Sequence, residues 1–148
     1  MSRPPGRKPG SRGIHAVEDS ALVLPQSIAL DTSFIVKALV ESEAGHASCT
    51  AFVDRIRELG VTVVTSELVL SSLPHLSIPL GDVAGPAAVL MIDYGLASYD
   101  AVHAVSAVAA GAEAIVTTDT GFALLPTRML AIYTDRSRVT ACCAKRPA

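Results

Sequence analysis

Aromatic residues are nearly absent from this chain, at 4% of its 148 residues, while half of all residues are hydrophobic, so its core has to be built from aliphatic side chains. The length suits a single domain with one buried core. Long apolar runs are missing too. Each is broken by charge, Gly or Pro well short of the roughly 20 residues that a membrane helix needs, which predicts no transmembrane span. Cysteine is scarce and unpaired in pattern. Cys49, Cys142 and Cys143 are odd in number and show no C-x-x-C spacing, so neither a disulfide framework nor a zinc site follows, and free thiols in a reducing, cytoplasmic setting are expected. His15, His46 and His75 show no metal-ligand spacing either.

Positive charge is also scarce wherever the chain can fold. The opening MSRPPGRKPGSRG is rich in Pro, Gly and Arg, lacks the apolar core of a signal peptide and cannot bury surface. Residues 1–25 are therefore expected to form a disordered basic extension, 26–135 the folded domain and 136–148 a C-terminal tail with Cys142 and Cys143 in its frayed end. Setting aside Arg3, Arg7, Lys8, Arg12, Lys145 and Arg146 as terminal leaves six basic residues against 14 acidic ones, a net charge of −8. A body this acidic does not hold a polyanion by bulk electrostatics, so a nucleic-acid substrate must be gripped locally.

What the chain does contain is an alternation of short apolar runs and helical patterns. Ser27–Leu30 reads as a buried strand, and Phe34–Val40 continues as helix after the polar Asp31-Thr32-Ser33 step. His46–Leu59 repeats Cys49, Phe52, Val53, Ile56 and Leu59 at helical spacing, and Gly60 ends it. Val61–Val64 is rich in β-branched residues, a strand signal, and Glu67 opens a helical run to Leu73. Prolines and glycines then exclude a continuous helix from Ser71 to Pro86, with a short strand near Ile78. Helices follow over Ala87–Tyr94 and Ser98–Ala110, a strand over Ala114–Thr117, a short turn or helix from Asp119 through Leu125, and a last edge strand over Met129–Tyr133. Strands separated by helices predict an α/β fold, a three-layer α/β/α arrangement around a central parallel sheet.

Four acids fall where an apolar run ends and a helical pattern begins: Asp31, Glu67, Asp100 and Asp119. Singly, each is explained by the preference of carboxylates for the first turn of a helix. Capping does not explain why several fall on one edge of a parallel sheet, the carboxyl edge where ligands bind. Carboxylates gathered there repel each other unless a cation sits among them. With hard oxygen donors and no Cys or His cluster, that cation is Mg²⁺, with Mn²⁺ as a substitute. Such ions favour phosphate as co-ligand, which makes phosphodiester hydrolysis the natural chemistry. Of the hydroxyls flanking the acids, Ser33 and Thr118 are the supporting candidates; Thr32, Thr117 and Thr120 read as caps or backbone partners. His103, three residues after Asp100, reads as a core or supporting residue rather than an acid–base partner.

The segments Leu30-Asp31-Thr32-Ser33, Thr65-Ser66-Glu67-Leu68, Tyr94 through His103 and Val116 through Phe122 together resemble a PIN domain, specifically the VapC-type toxins of type II toxin–antitoxin pairs. The resemblance spans roughly Ile28 to Thr134. It implies a PIN-like fold and a Mg²⁺- or Mn²⁺-dependent endoribonuclease whose acidic quartet is Asp31, Glu67, Asp100 and Asp119. It further implies an RNA substrate, a homodimer and a cognate VapB-type antitoxin that inserts a tail into the acidic crevice. One departure stands out: the helical stretch usual after the second acid is shortened here, where Ser71-Ser72-Leu73-Pro74 leads directly towards Ser77-Ile78-Pro79. That shortening motivates an alternative, a catalytically weak or inactive relative acting as an antitoxin- or RNA-binding module. A phospho-accepting Asp31 is disfavoured, because no second Asp follows two residues on and Lys37 and Lys145 are the only lysines after the extension.

Overall fold

The computed structural model describes residues 13–64, 84–126 and 128–145, so the expected helix after Glu67 and the strand near Ile78 lie outside the described residues. Five strands are seen: β1 (Ile14–Ala16), β2 (Ser27–Leu30), β3 (Thr62–Val64), β4 (Ala114–Val116) and β5 (Ala131–Thr134). They form one all-parallel sheet in the order β1-β5-β4-β2-β3. Five α-helices accompany it: α1 (Thr32–Leu39), α2 (His46–Leu59), α3 (Ala84–Tyr94), α4 (Ser98–Ala109) and α5 (Arg136–Lys145). The fold is three-layered α/β/α, as the alternating pattern predicts.

The two layers follow from the period-two alternation of the strands. Ile28, Ala114, Val116, Ala131 and Tyr133 face Phe34 of α1 and Cys49, Phe52 and Ile56 of α2. Their neighbours Ala29, Ile115 and Ile132 face the other way, against α3, α4 and Cys142 of α5. Three of the six Phe and Tyr residues meet in the first layer, where Phe34 and Phe52 pack edge to face at 5.9 Å and Phe52 meets Tyr133 at 6.3 Å. Truncating Phe52, which is 1% exposed, would cost about 3–5 kcal/mol. Gly60, at φ 65°, closes α2 in the left-handed conformation that a side chain resists.

Three sequence expectations are corrected. Residues 14–25 belong to the fold: β1 pairs with β5, and Val17 and Leu22 are buried. The Arg55 guanidinium holds this segment by donating to the backbone oxygens of Asp19 and Leu22. The C-terminal residues are helical rather than frayed, with Cys142 fully buried in α5 and its thiol pKa raised by that burial. The backbone N–H of Arg136, at the start of α5, donates to both carboxylate oxygens of Glu18, at 3.1 and 2.9 Å. Finally, β5 is not an edge strand, because β1 covers its outer side.

β2 lies between β3 and β4, so the chain leaves β2 in one direction to form β3 and returns to its other flank as β4. Such a reversal opens a crevice at the carboxyl ends of the two strands that part there. Asp31 directly follows β2, and Thr117-Thr118-Asp119 directly follows β4.

Candidate active site

The register Leu30↔Val116 places Asp31 beside Thr117, and the Asp31 N–H continues the ladder to Val116 O at 2.9 Å. Asp31 occupies the N-cap position of α1 without capping it. Its carboxylate turns instead to two hydroxyls: Ser33 Oγ donates to Oδ2 at 2.6 Å and Thr117 Oγ1 donates to the same oxygen at 2.9 Å. Each hydroxyl carries one proton. With both spent on Oδ2, the 3.2 Å approach of Ser33 Oγ to Thr117 Oγ1 is proximity rather than a third bond. Asp31 is 5% exposed, and both donors fall on a single oxygen, which leaves Oδ1 for another ligand.

The same two hydroxyls organise the β4 side. Ser33 Oγ accepts from the Thr118 N–H at 3.0 Å, and Thr117 Oγ1 accepts from the Asp119 N–H at 2.9 Å. Asp119 then caps the 3-10 turn over Thr120–Leu124, its Oδ1 accepting from the Gly121 N–H at 2.8 Å. Thr117 therefore bridges the two acids, a role that the sequence reading did not give it, while Thr118 contributes through its backbone. The sequence carried no signal for it, because which threonine lies level with Asp31 depends on the register of β4 against β2.

Asp100 arrives from the opposite layer, in the first turn of α4. Its proximity to the others is recorded at Gly121, where an added Cβ would lie 2.8 Å from Asp100 Oδ2 and 3.2 Å from Asp119 Oδ1. Both carboxylates thus crowd one point that only glycine leaves open. Burial pushes the Asp100 carboxyl up to about 6, and the nearby charges of Asp119 and Asp31 push in the same direction. Asp31, Asp100 and Asp119 are therefore brought to one crevice; Glu67 lies outside the described residues.

The donor set fits a hard divalent cation in chemistry and in field, since positive charge relieves the repulsion recorded at Asp100. Among the described residues, no three acidic, imidazole or thiol groups stand close enough to chelate one ion as they are. Of the three acids, Asp31 and Asp119 accept hydrogen bonds from the protein, whereas Asp100 is not held by one among the described residues. His103 is 4% exposed, packs edge-on to Tyr99 at 4.3 Å and has its pKa lowered by burial against the opposing pull of Asp31. It stands behind the crevice, as a supporting residue would. On the rim, Lys145 Nζ donates to Thr120 Oγ1 at 2.8 Å, so α5 delivers to the site a cation set aside as terminal in the sequence.

Comparison with protein-family models, curated proteins and solved structures finds no match to this chain. Among the described residues, no helix is long and apolar enough to cross a membrane.

Proposed function

We propose that this chain is a divalent-metal-dependent endoribonuclease of PIN type, acting in the cytoplasm as the toxin of a type II toxin–antitoxin pair. The observation that carries the nuclease reading is the convergence of Asp31, Asp100 and Asp119 on the carboxyl edge of a parallel sheet, where burial first, and then the charges of Asp119 and Asp31, raise the Asp100 pKa. Structural acids avoid such company; acids that share a cation need it.

Asp31, Asp100 and Asp119 would hold Mg²⁺ or Mn²⁺, with Glu67 as the fourth donor that the PIN resemblance supplies. When bound, the ion supplies Lewis acidity that activates water and offsets charge on the phosphodiester in its transition state. The protein's own part is positional. Ser33 and Thr117 fix the rotamer of Asp31 by occupying one of its oxygens, and the Asp119 N–H keeps Thr117 turned towards Asp31. The Gly121 position keeps side-chain bulk out of the crevice. Lys145 at the rim can meet a phosphate of the RNA, a local grip of the kind that an acidic body requires. The partners proposed from the resemblance are a second copy of the chain and a VapB-type antitoxin whose cationic side chain competes for the same carboxylates.

Purified protein is expected to cleave RNA with Mg²⁺ or Mn²⁺ and to lose the activity with EDTA. Asp31→Ala should lower the rate by on the order of a thousandfold, the scale of removing a main electrostatic element of a site. Cleavage at the wild-type rate in EDTA or in Asp31→Ala would refute the assignment. Partner copurification with no cleavage of a broad RNA panel would instead favour the binding-module alternative.

A further inference from the structure

Behind the crevice, β2, β3, β4 and α4 line a small cavity of about 10 Å³, with apolar walls that include Ala29, Val64 and Ile115. Asp31, His103 and Ser106 also line it. Its volume matches the room needed for the centre of one water molecule. An apolar cavity of this size would stay dry; this one has three polar walls. Ser106 is 2% exposed, and its hydroxyl has no hydrogen-bond partner among the described residues. A helical serine ordinarily returns its proton to the carbonyl one turn back, so a buried one that does not do so calls for another partner.

We propose that this cavity is a built site for one water molecule, which accepts the Ser106 proton, donates to the Asp31 carboxylate and has the His103 imidazole as its third neighbour. The balance of donors and acceptors closes. Water offers two protons and two lone pairs, Ser106 Oγ needs an acceptor, and the carboxylate that already takes two hydroxyl protons on Oδ2 retains Oδ1. The water ties α4 to the end of β2 directly behind the acids. Ser106 and His103 thereby become positioning residues that act on Asp31 through the water, in addition to the direct bonds from Ser33 and Thr117. The water itself stands without the nuclease reading; its effect on cation binding rests on that reading.

A crystal structure of the metal-free full chain at high resolution should show a density peak within about 3.2 Å of Ser106 Oγ and of an Asp31 carboxylate oxygen. A dry cavity overturns the site. For the positioning role, Mn²⁺ affinity is titrated by electron paramagnetic resonance in the wild type, in Ser106→Ala and in Cys49→Ala, a cavity-forming control in the other layer. Ser106→Ala should bind Mn²⁺ about three- to tenfold more weakly, the scale of one lost hydrogen bond in a charged network, while Cys49→Ala keeps wild-type affinity at a lower melting temperature. Equal affinity in Ser106→Ala and wild type overturns the positioning role. Failure of the wild type to bind Mn²⁺ sinks the nuclease reading and the positioning role with it, while the density peak still decides the water.

Discussion

Asp31 and Asp100 share one crevice, and they are placed there by contrasting means. Asp31, at the end of β2, is 5% exposed and receives two hydroxyl protons on one oxygen. Asp100, in the first turn of α4, is half-buried, has no hydrogen bond among the described residues, and is pushed up to about 6 by burial, Asp119 and Asp31. One side of the site is set before any ligand arrives. The other is left under repulsion, and it is the side that a cation would change most. If the site takes a cation as proposed, Asp31 would set its position and Asp100 would be the acid left to adjust to it.

That contrast can be broken most sharply at Gly121. An added methyl would sit 2.8 Å from Asp100 Oδ2 and must displace it, so Gly121→Ala should lower cleavage by about a hundredfold, the scale of an ångström misplacement, with little change in melting temperature. A wild-type rate would mean that Asp100 does not act from this position. On the preformed side, Thr117→Val removes a donor from Asp31 and an acceptor from the Asp119 N–H. Denaturant unfolding should show a loss of about 1–3 kcal/mol, against less than about 0.5 kcal/mol for Thr118→Val, whose backbone bond to Ser33 survives. Similar losses in the two variants would remove the distinction drawn between these neighbouring threonines.

At the rim the expected effects are smaller. Lys145→Ala should raise KM for RNA about three- to tenfold and flatten its salt dependence while leaving kcat unchanged, as loss of one phosphate contact does. A fall in kcat alone would place Lys145 elsewhere in the mechanism. The smallest effect concerns pH. The folded-state pKa of Asp100, about 6, lies above its ordinary 3.8, so the folded protein takes up this proton more readily than the unfolded chain. The metal-free wild type therefore gains stability from this group as pH falls through about 6 towards 4, and loses it as pH rises. Asp100→Asn should be the more stable of the two at pH 7, by less than about 1 kcal/mol after solvent screening, with the gap closing near pH 4. A gap that widens on acidification would contradict the repulsion inferred here.

The elements that carry their own local signal were legible in the sequence. α2 begins at His46 and ends at Leu59 as the spacing of Cys49, Phe52 and Ile56 predicts, and β2 occupies Ser27–Leu30. The misread elements owe their state to distant partners. β1 is three residues long, follows an Arg- and Gly-rich stretch, and is a strand only because β5 lies beside it. α5 buries little beyond Cys142 and takes its starting geometry from Glu18. In the site, the positions of Asp31, Asp100 and Asp119 were readable because each adjoins a pattern change. Which threonine would bridge them was not, because the choice between Thr117 and Thr118 depends on how β4 lies against β2. Ser106, three residues beyond His103 at the end of the motif, carries no mark until α4 is laid on the sheet.

The pairing of β1 with β5 also bears on how the molecule is made. Glu18 and Arg136 are 118 positions apart, so β1 finds its neighbour only after β5 and the start of α5 have been synthesised. Until then β1 has no strand to pair with, so this corner is expected to consolidate late and, in native-state hydrogen exchange, to open early.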